Sequence, residues 1–186
     1  MPTELEAKLH VNDHAAVREH LRAAGAEPRG SVLETNTLLD TPDGQLHARG
    51  CGLRVRLAVC DDTGELTCTV TYKGPRSAGV FKQREEIETT AGDGDALRGL
   101  FYALGYTRSL IFEKRRETWA LNGCLIELDE VPQLGRFVEV EGPDEQAIHN
   151  TIDALDLNAA ERVVDSYAAL LAATAAEGAT ELVFRF

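Results

Sequence analysis

Four cysteines occur in 186 residues (Cys51, Cys60, Cys68 and Cys124), and no two of them form a Cys-x-x-Cys pair. The five histidines, His10, His14, His20, His47 and His149, are scattered, none with zinc-site spacing beside a cysteine. Structural zinc, a histidine metal centre and a histidine general base therefore have no support in the chain. Cys60 and Cys68 flank a turn and could lie near each other, but reduced thiols of a cytoplasmic protein are the expectation. No apolar run reaches the length of a membrane span, and no basic leader precedes an apolar stretch. A soluble, cytoplasmic protein with no membrane partner is expected. Positive charge is scarce, with 19 Lys+Arg against 31 Asp+Glu and a formal net charge of -12. That balance argues against a nucleic-acid duplex as partner. It leaves a small polyanion open, because a local cluster of cations overrides the global sign at short range. The Gly74–Gly79 loop lacks the Gly-Lys-Ser/Thr ending of a phosphate-binding loop, although it could cover a site as a lid. Aromatics are only 6% of the chain, and Phe101, Tyr102, Phe112 and Trp119 read as packing rather than as a base-stacking platform.

The chain does have charge alternation on strand-like segments. Glu4, Glu6 and Lys8 stand two apart, and the rhythm returns at Arg54 and Arg56 and at Arg84, Glu86 and Glu88. It continues at Lys114 and Arg116, Glu127 and Asp129, and Glu139 and Glu141. Residues i, i+2 and i+4 of a strand share one face, so each group projects its charges to one side. Solvated strands of this kind usually mix Lys and Glu with Thr and Ser. Here the signs are grouped, and Arg supplies most of the basic positions.

The order of elements is α+β in a single domain spanning 1–186. A strand over 3–11 precedes a helix that Asp13 caps and Gly25 ends. Strand character resumes over Val32–Leu39 and stops at the Thr41-Pro-Asp-Gly44 turn. Strands near 52–60 and 65–73 are joined by Asp61–Gly64, and another runs Lys82–Thr90. Asp93 or Asp95 starts a second helix through Leu97, Leu100, Phe101 and Leu104. Residues 106–121 and 124–131 form a hairpin around Asn122-Gly123, the strongest turn signal present. A strand over 136–142 and helices over 144–155 and 159–175 follow. Thr180–Phe186 alternates like a strand whose place the pattern leaves open. Seven or eight strands with short connections favour antiparallel pairing and a closed or nearly closed barrel, with the helices outside.

Arg presents a planar fork suited to phosphate. Clustered carboxylates suit Mg²⁺ or Mn²⁺, hard cations that prefer oxygen. Cations facing carboxylates across a cavity make a site for a metal-bound polyphosphate. Without ligand, such an interior must hold its own charges, so water, anions or ion pairs across the cavity are expected to fill it.

Glu4-Leu-Glu-Ala-Lys8 resembles the Glu-x-Glu-x-Lys signature of the CYTH superfamily, the triphosphate tunnel metalloenzymes. The resemblance continues through Asp40–Gly44, Leu53–Arg56, Tyr72–Pro75, Arg84–Glu88, Glu113–Arg116, Ile126–Asp129, Leu134–Glu141 and Ser166-Tyr167. It implies a closed antiparallel eight-stranded β-barrel holding a triphosphate inside. Carried over by position, Lys8, Arg54, Arg56, Lys73, Arg84, Lys114 and Arg116 would grip the phosphates. Glu4, Glu6, Glu127, Asp129, Glu139 and Glu141 would hold one or two Mg²⁺ or Mn²⁺ ions. Glu86 and Glu88 would line the tunnel and, with Glu4, Glu6 and Lys8, make up the catalytic set. Lys82 stays open between the tunnel mouth and solvent. Ser166 and Tyr167 would seal the C-terminal helix structurally.

The expected activity is metal-dependent hydrolysis of inorganic tripolyphosphate or an organic triphosphate, by a monomer or homodimer. A class IV adenylyl cyclase is the alternative, with a ribose oxygen rather than water attacking phosphorus. Family cyclases tend to carry a His-Phe pair ahead of the signature, whereas here only Met1-Pro-Thr precedes Glu4. A binding module without catalysis is the third reading. Asn36 and Leu38 stand where many relatives carry Asp and Tyr, which puts a tyrosine-assisted mechanism in doubt and leaves the metal route intact.

Overall fold

Extended segments account for nearly half of the residues in the computed structural model, which describes residues 3–75, 82–175 and 182–186, with the side chains of 3, 4 and 82–84 left out. In chain order they are β1 (Thr3–Val11), β2 (Glu27–Asp40), β3 (Gly52–Cys60), β4 (Leu66–Lys73), β5 (Lys82–Ala91), β6 (Thr107–Leu121), β7 (Cys124–Val131), β8 (Gly135–Glu141), β9 (Glu161–Arg162) and β10 (Val183–Phe184). The helices are α1 (His14–Ala23), α2 (Gln45–Ala48), α3 (Gly94–Ala103), α4 (Glu145–Ala154) and α5 (Tyr167–Thr174). Asp13, Asp93, Asp144 and Ser166 start four of these, each with its side chain accepting from a backbone N–H of the first turn. Asp93, rather than Asp95, begins α3.

The sheet follows the order β10-β6-β2-β3-β4-β5-β1-β8-β7, with β9 on β1. The closed eight-stranded antiparallel barrel read from the sequence is thus corrected to a ten-stranded sheet. β9 and β10 are two-residue additions, and β10 runs parallel to β6. One edge of β6 is divided between two partners. Residues 115–121 pair with β7 around the Asn122-Gly123 turn, where both turn residues have positive φ (52° and 81°). Residues 111–112 pair with β10 instead. The sheet therefore joins across that seam along only part of β6.

One further expectation is corrected. The helix read over 159–175 begins only at Tyr167, because the Val163 N–H donates to the Lys8 carbonyl and β9 lies on β1. The turn at 41–44 continues into α2. The Asp40 carboxylate accepts there from the N–H groups of Thr41 and Leu46 through one oxygen and of His47 through the other. Asp40 in the Asp-Thr-Pro-Asp-Gly run is thus a helix-capping residue.

Side-chain parity divides the sheet into two faces. The outer face is apolar and covered by helices. Ala7, Leu9, Ile126, Leu128, Val138 and Val140 pack with α1 and α4, and Leu53, Val55, Cys68 and Tyr72 pack with α3. Gly94 sits so close to β3 that a Cβ there would lie 2.6 Å from Leu57 Cδ2. The inner face carries the alternating charges. One end of it is closed by a separate apolar cluster, in which Leu38, Leu110, Phe112, Phe137 and Phe184 pack against Tyr167 and Leu171 of α5.

Candidate functional site

Lys8 on β1, Glu34 on β2, Lys114 on β6, Asp129 on β7 and Glu139 on β8 are all at least nine-tenths buried. Register brings them together: Lys8 stands opposite Glu139, Glu127 opposite Glu139, and Glu34 opposite Lys114. Charges removed from water are tolerable only when paired, and these form one continuous network. Lys8 Nζ lies 3.2 Å from Glu139, donates to the Asp165 carbonyl at 3.2 Å, and stands 3.6 Å over the Tyr167 ring. Lys114 Nζ bridges Glu34 at 3.3 Å and Asp129 at 3.2 Å. Arg56 meets Glu34 at 3.1 Å and donates through Nε to Asn36 Oδ1 at 3.0 Å.

Arg116 sits among the acids. Its Nε and Nη2 donate to the two oxygens of Asp129 at 2.7 and 2.6 Å, Nη2 also reaches Glu139 at 2.6 Å, and Nη1 pairs with Glu127. Tyr167 donates its hydroxyl to Asp129 at 2.9 Å. Burial, reinforced by Asp129 and Glu139, raises the phenol well above its ordinary range, so it stays a donor.

Beside this core, Arg54 donates to Thr71, which donates to Glu88, and Arg54 itself lies 3.7 Å from Glu88. Lys73 pairs with Glu86 at 2.6 Å. Burial, then the neighbouring Arg56, brings Arg54 down to about 10. Its Nε is buried with no hydrogen-bond partner among the described residues. Glu6 and Glu141 face each other across β1 and β8, one step beyond Lys8 and Glu139. The backbone of Glu4 pairs with that of Arg84, but both side chains lie outside the described residues, as does that of Lys82. Residues 76–79 of the loop considered as a lid lie outside them too.

The network consists of ion pairs, most of them between neighbouring strands rather than across the interior. It contains one carboxylate the alternation did not reveal. Glu34 is 2% exposed and touches Lys114, Arg56 and, at 3.9 Å, Arg116. Its inward neighbours Asn36 and Leu38 are neutral, so the rhythm is invisible on β2. The surviving signal is one carboxylate inside an otherwise neutral strand run. Tyr167, read as purely structural, also enters the network.

Glu127, Asp129 and Glu139 offer carboxylate oxygens within 4.8 Å of one another. An all-oxygen, all-anionic donor set of that spacing fits a hard divalent cation such as Mg²⁺ or Mn²⁺. Burial pushes Glu127 up to about 7, against the pull of Arg116 and with Asp129 and Glu139 adding to the rise. Binding a cation there requires its proton to leave.

Comparison with known proteins agrees with this geometry. The pattern of the CYTH domain family matches residues 2–163. The Methanocaldococcus jannaschii protein named "Putative adenylate cyclase MJ0240" is 30% identical over 138 residues, 74% of this chain and 75% of its own. The PH1819 protein of Pyrococcus horikoshii OT3 superposes with a TM-score of 0.79 at 27% identity, covering 92% of this chain and 99% of that one. HpAC1 from Hippeastrum, a nominal adenylyl cyclase described as having a dominant triphosphatase activity, shares the fold. Its TM-score is 0.71 at 17% identity, over 93% of this chain and 96% of its own. Motif order, buried charge network and family match agree, and the chain belongs to the CYTH domain family.

Proposed function

We propose that the protein hydrolyses a triphosphate, inorganic or organic, bound along the charged inner face of the sheet. The observation that carries this reading is the juxtaposition of Lys8, Arg56, Lys114 and Arg116 with the carboxylates of Glu127, Asp129 and Glu139 in one buried network. Glu127, Asp129 and Glu139 would hold Mg²⁺ or Mn²⁺, with Glu4, Glu6 and Glu141 as further ligands from β1 and β8. When bound, the ion supplies Lewis-acid stabilisation of phosphoryl oxygens. Arg54, Arg56, Lys73, Arg84 and Lys114 bind and orient the chain of phosphates. Their fixed positive heads offset the charge that develops as the terminal phosphoryl group leaves. Glu86, ion-paired with Lys73, and Glu88, which accepts from Thr71 and faces Arg54, hold those side chains in place. The apolar cluster around Leu38, Phe112 and Phe137 excludes water from one end of the site.

The test is a product assay with Mg²⁺ or Mn²⁺, supplying tripolyphosphate, thiamine triphosphate and ATP separately. Orthophosphate from one of the triphosphates, without cyclic AMP from ATP, is expected. The name of the Methanocaldococcus jannaschii relative favours cyclase as a second reading, and cyclic AMP with stoichiometric pyrophosphate would replace hydrolysis by it. Binding without turnover of any substrate would leave a binding module. Glu127→Gln is expected to lower turnover by about 100-fold or more while leaving the circular dichroism spectrum unchanged. Wild-type turnover in that variant would remove Glu127 from the ligand set. Arg54→Ala is expected to raise KM about tenfold through loss of a charge-assisted contact, and unchanged kinetics would place Arg54 outside the site.

A further inference from the structure

All three nitrogens of the Arg116 guanidinium are turned toward carboxylates. Nε and Nη2 take Asp129, Nη2 also takes Glu139, and Nη1 takes Glu127. Those are the three acids whose oxygens converge within 4.8 Å. Lys8 and Lys114 touch the same group, but each reaches one member and has an anchor elsewhere. For Lys8 the anchor is the Asp165 carbonyl, and for Lys114 it is Glu34. Among the described residues Arg116 alone meets all three. In this structure it is the cation of the acidic triad, and its fork is taken up by carboxylates.

A divalent ion on the same oxygens would face the guanidinium at hydrogen-bonding range. Like charges that close in a poorly screened interior repel strongly. The geometry points to an exchange: Arg116 is the internal counter-cation of the triad, and a divalent ion takes the triad only as Arg116 leaves it, which frees the guanidinium for the triphosphate. The inference rests on reading the triad as the metal site. Glu34 makes the exchange feasible without stranding a buried charge, because its Oε1 already lies 3.9 Å from Arg116 Nε. Metal and triphosphate binding are then coupled: loading the ion releases an anion-binding group, and by linkage the triphosphate raises affinity for the ion by the same factor. A guanidinium that stayed on the triad would also repel the ion, but it would not move on metal loading, so the Arg116 resonance separates exchange from fixed repulsion.

The experiment is calorimetric titration of metal-free wild type and Arg116→Gln with Mn²⁺, without triphosphate, at one pH and ionic strength. The expected result is at least tenfold tighter Mn²⁺ binding by Arg116→Gln. Equal or weaker binding by the variant overturns the exchange while leaving the triad as the metal site. No saturable binding to either protein overturns the metal-site reading, and the exchange with it. Should the variant fail to fold, wild type supplies the second readout. Arginine ¹⁵N–Hε resonances are followed during Mg²⁺ titration, with the Arg116 signal assigned by its absence in Arg116→Lys. A shifted, faster-exchanging Arg116 signal at saturation is expected, and an unmoved one overturns the exchange.

Discussion

Glu34 shows how one buried side chain is held in its charged form by its neighbours. Burial pushes its carboxyl up, but Lys114, Arg56 and Arg116 together outweigh that and hold it well below the usual carboxylate range. A carboxylate depressed in the folded state contributes stability that is fully present above its unfolded pKa, about 4.3, and is lost as pH falls below that value toward the folded one. Acid destabilisation of the wild type should therefore steepen below about pH 4.5. Glu34→Gln should flatten that part of the profile, and thermal melts at a series of pH values check it. An equally steep acid limb in the variant would assign the loss to other carboxylates. At neutral pH the same substitution leaves Lys114 and Arg56 short of a buried partner. A cost of about 3–5 kcal/mol is expected in urea unfolding, and a loss under 1 kcal/mol would mean that Asp129 and Asn36 can take up both cations. Lys114 is the more sensitive of the two, since burial and nearby Arg116 already lower its pKa.

At the scale of elements, the alternating pairs were legible because strand parity and sign grouping coincide. Lys8 and Glu139, Lys114 and Arg116, and Glu127 and Asp129 all fall on the inner face as their spacing implied, and their apolar neighbours pack under α1 and α4. Glu34 was hidden because Asn36 and Leu38 dilute the rhythm on β2, and Tyr167 because it reaches the network from a helix rather than a strand. The start of α5 differs from the sequence reading for another reason, whereas α4 ends where its pattern implied. The residues from 159 onward have helical composition, and only the tertiary bond from Val163 N to Lys8 O and the pairing of β9 with β1 draw them away from it. Helix α5 therefore depends on its cap, with Ser166 Oγ accepting from Ala169 N at 3.3 Å. Ser166→Ala should cost about 1 kcal/mol in urea unfolding. It should also loosen the Tyr167 ring beneath Lys8, seen as a change in the near-ultraviolet circular dichroism. An unchanged midpoint would show that packing of Tyr167 and Leu171 holds the helix without the cap.

At the scale of the molecule, the chain turns an acidic sequence into a sheet with a dry outer face and a charged inner one, and its weak place is the seam along β6. Where β7 stops pairing, at Arg115, β10 takes over at Ile111 and Phe112, and the Ile111 N–H donates to the Leu182 carbonyl at 2.8 Å. Phe184 goes inward from β10 and completes the apolar cluster with Phe112, Phe137 and Tyr167 that closes one end of the site. A two-residue strand contributes few backbone bonds, so its hold must come from that buried ring. Phe184→Ala should cost about 3–5 kcal/mol. More specifically, it should raise the hydrogen-exchange rate of the Ile111 amide far more than that of Val138 or Val140, which are fully buried on β8 under the helices. Uniform acceleration across all three would mean that the substitution acts only through global unfolding. Selective exposure of Ile111 would show that the C-terminal strand is what keeps water out of that end of the charged interior.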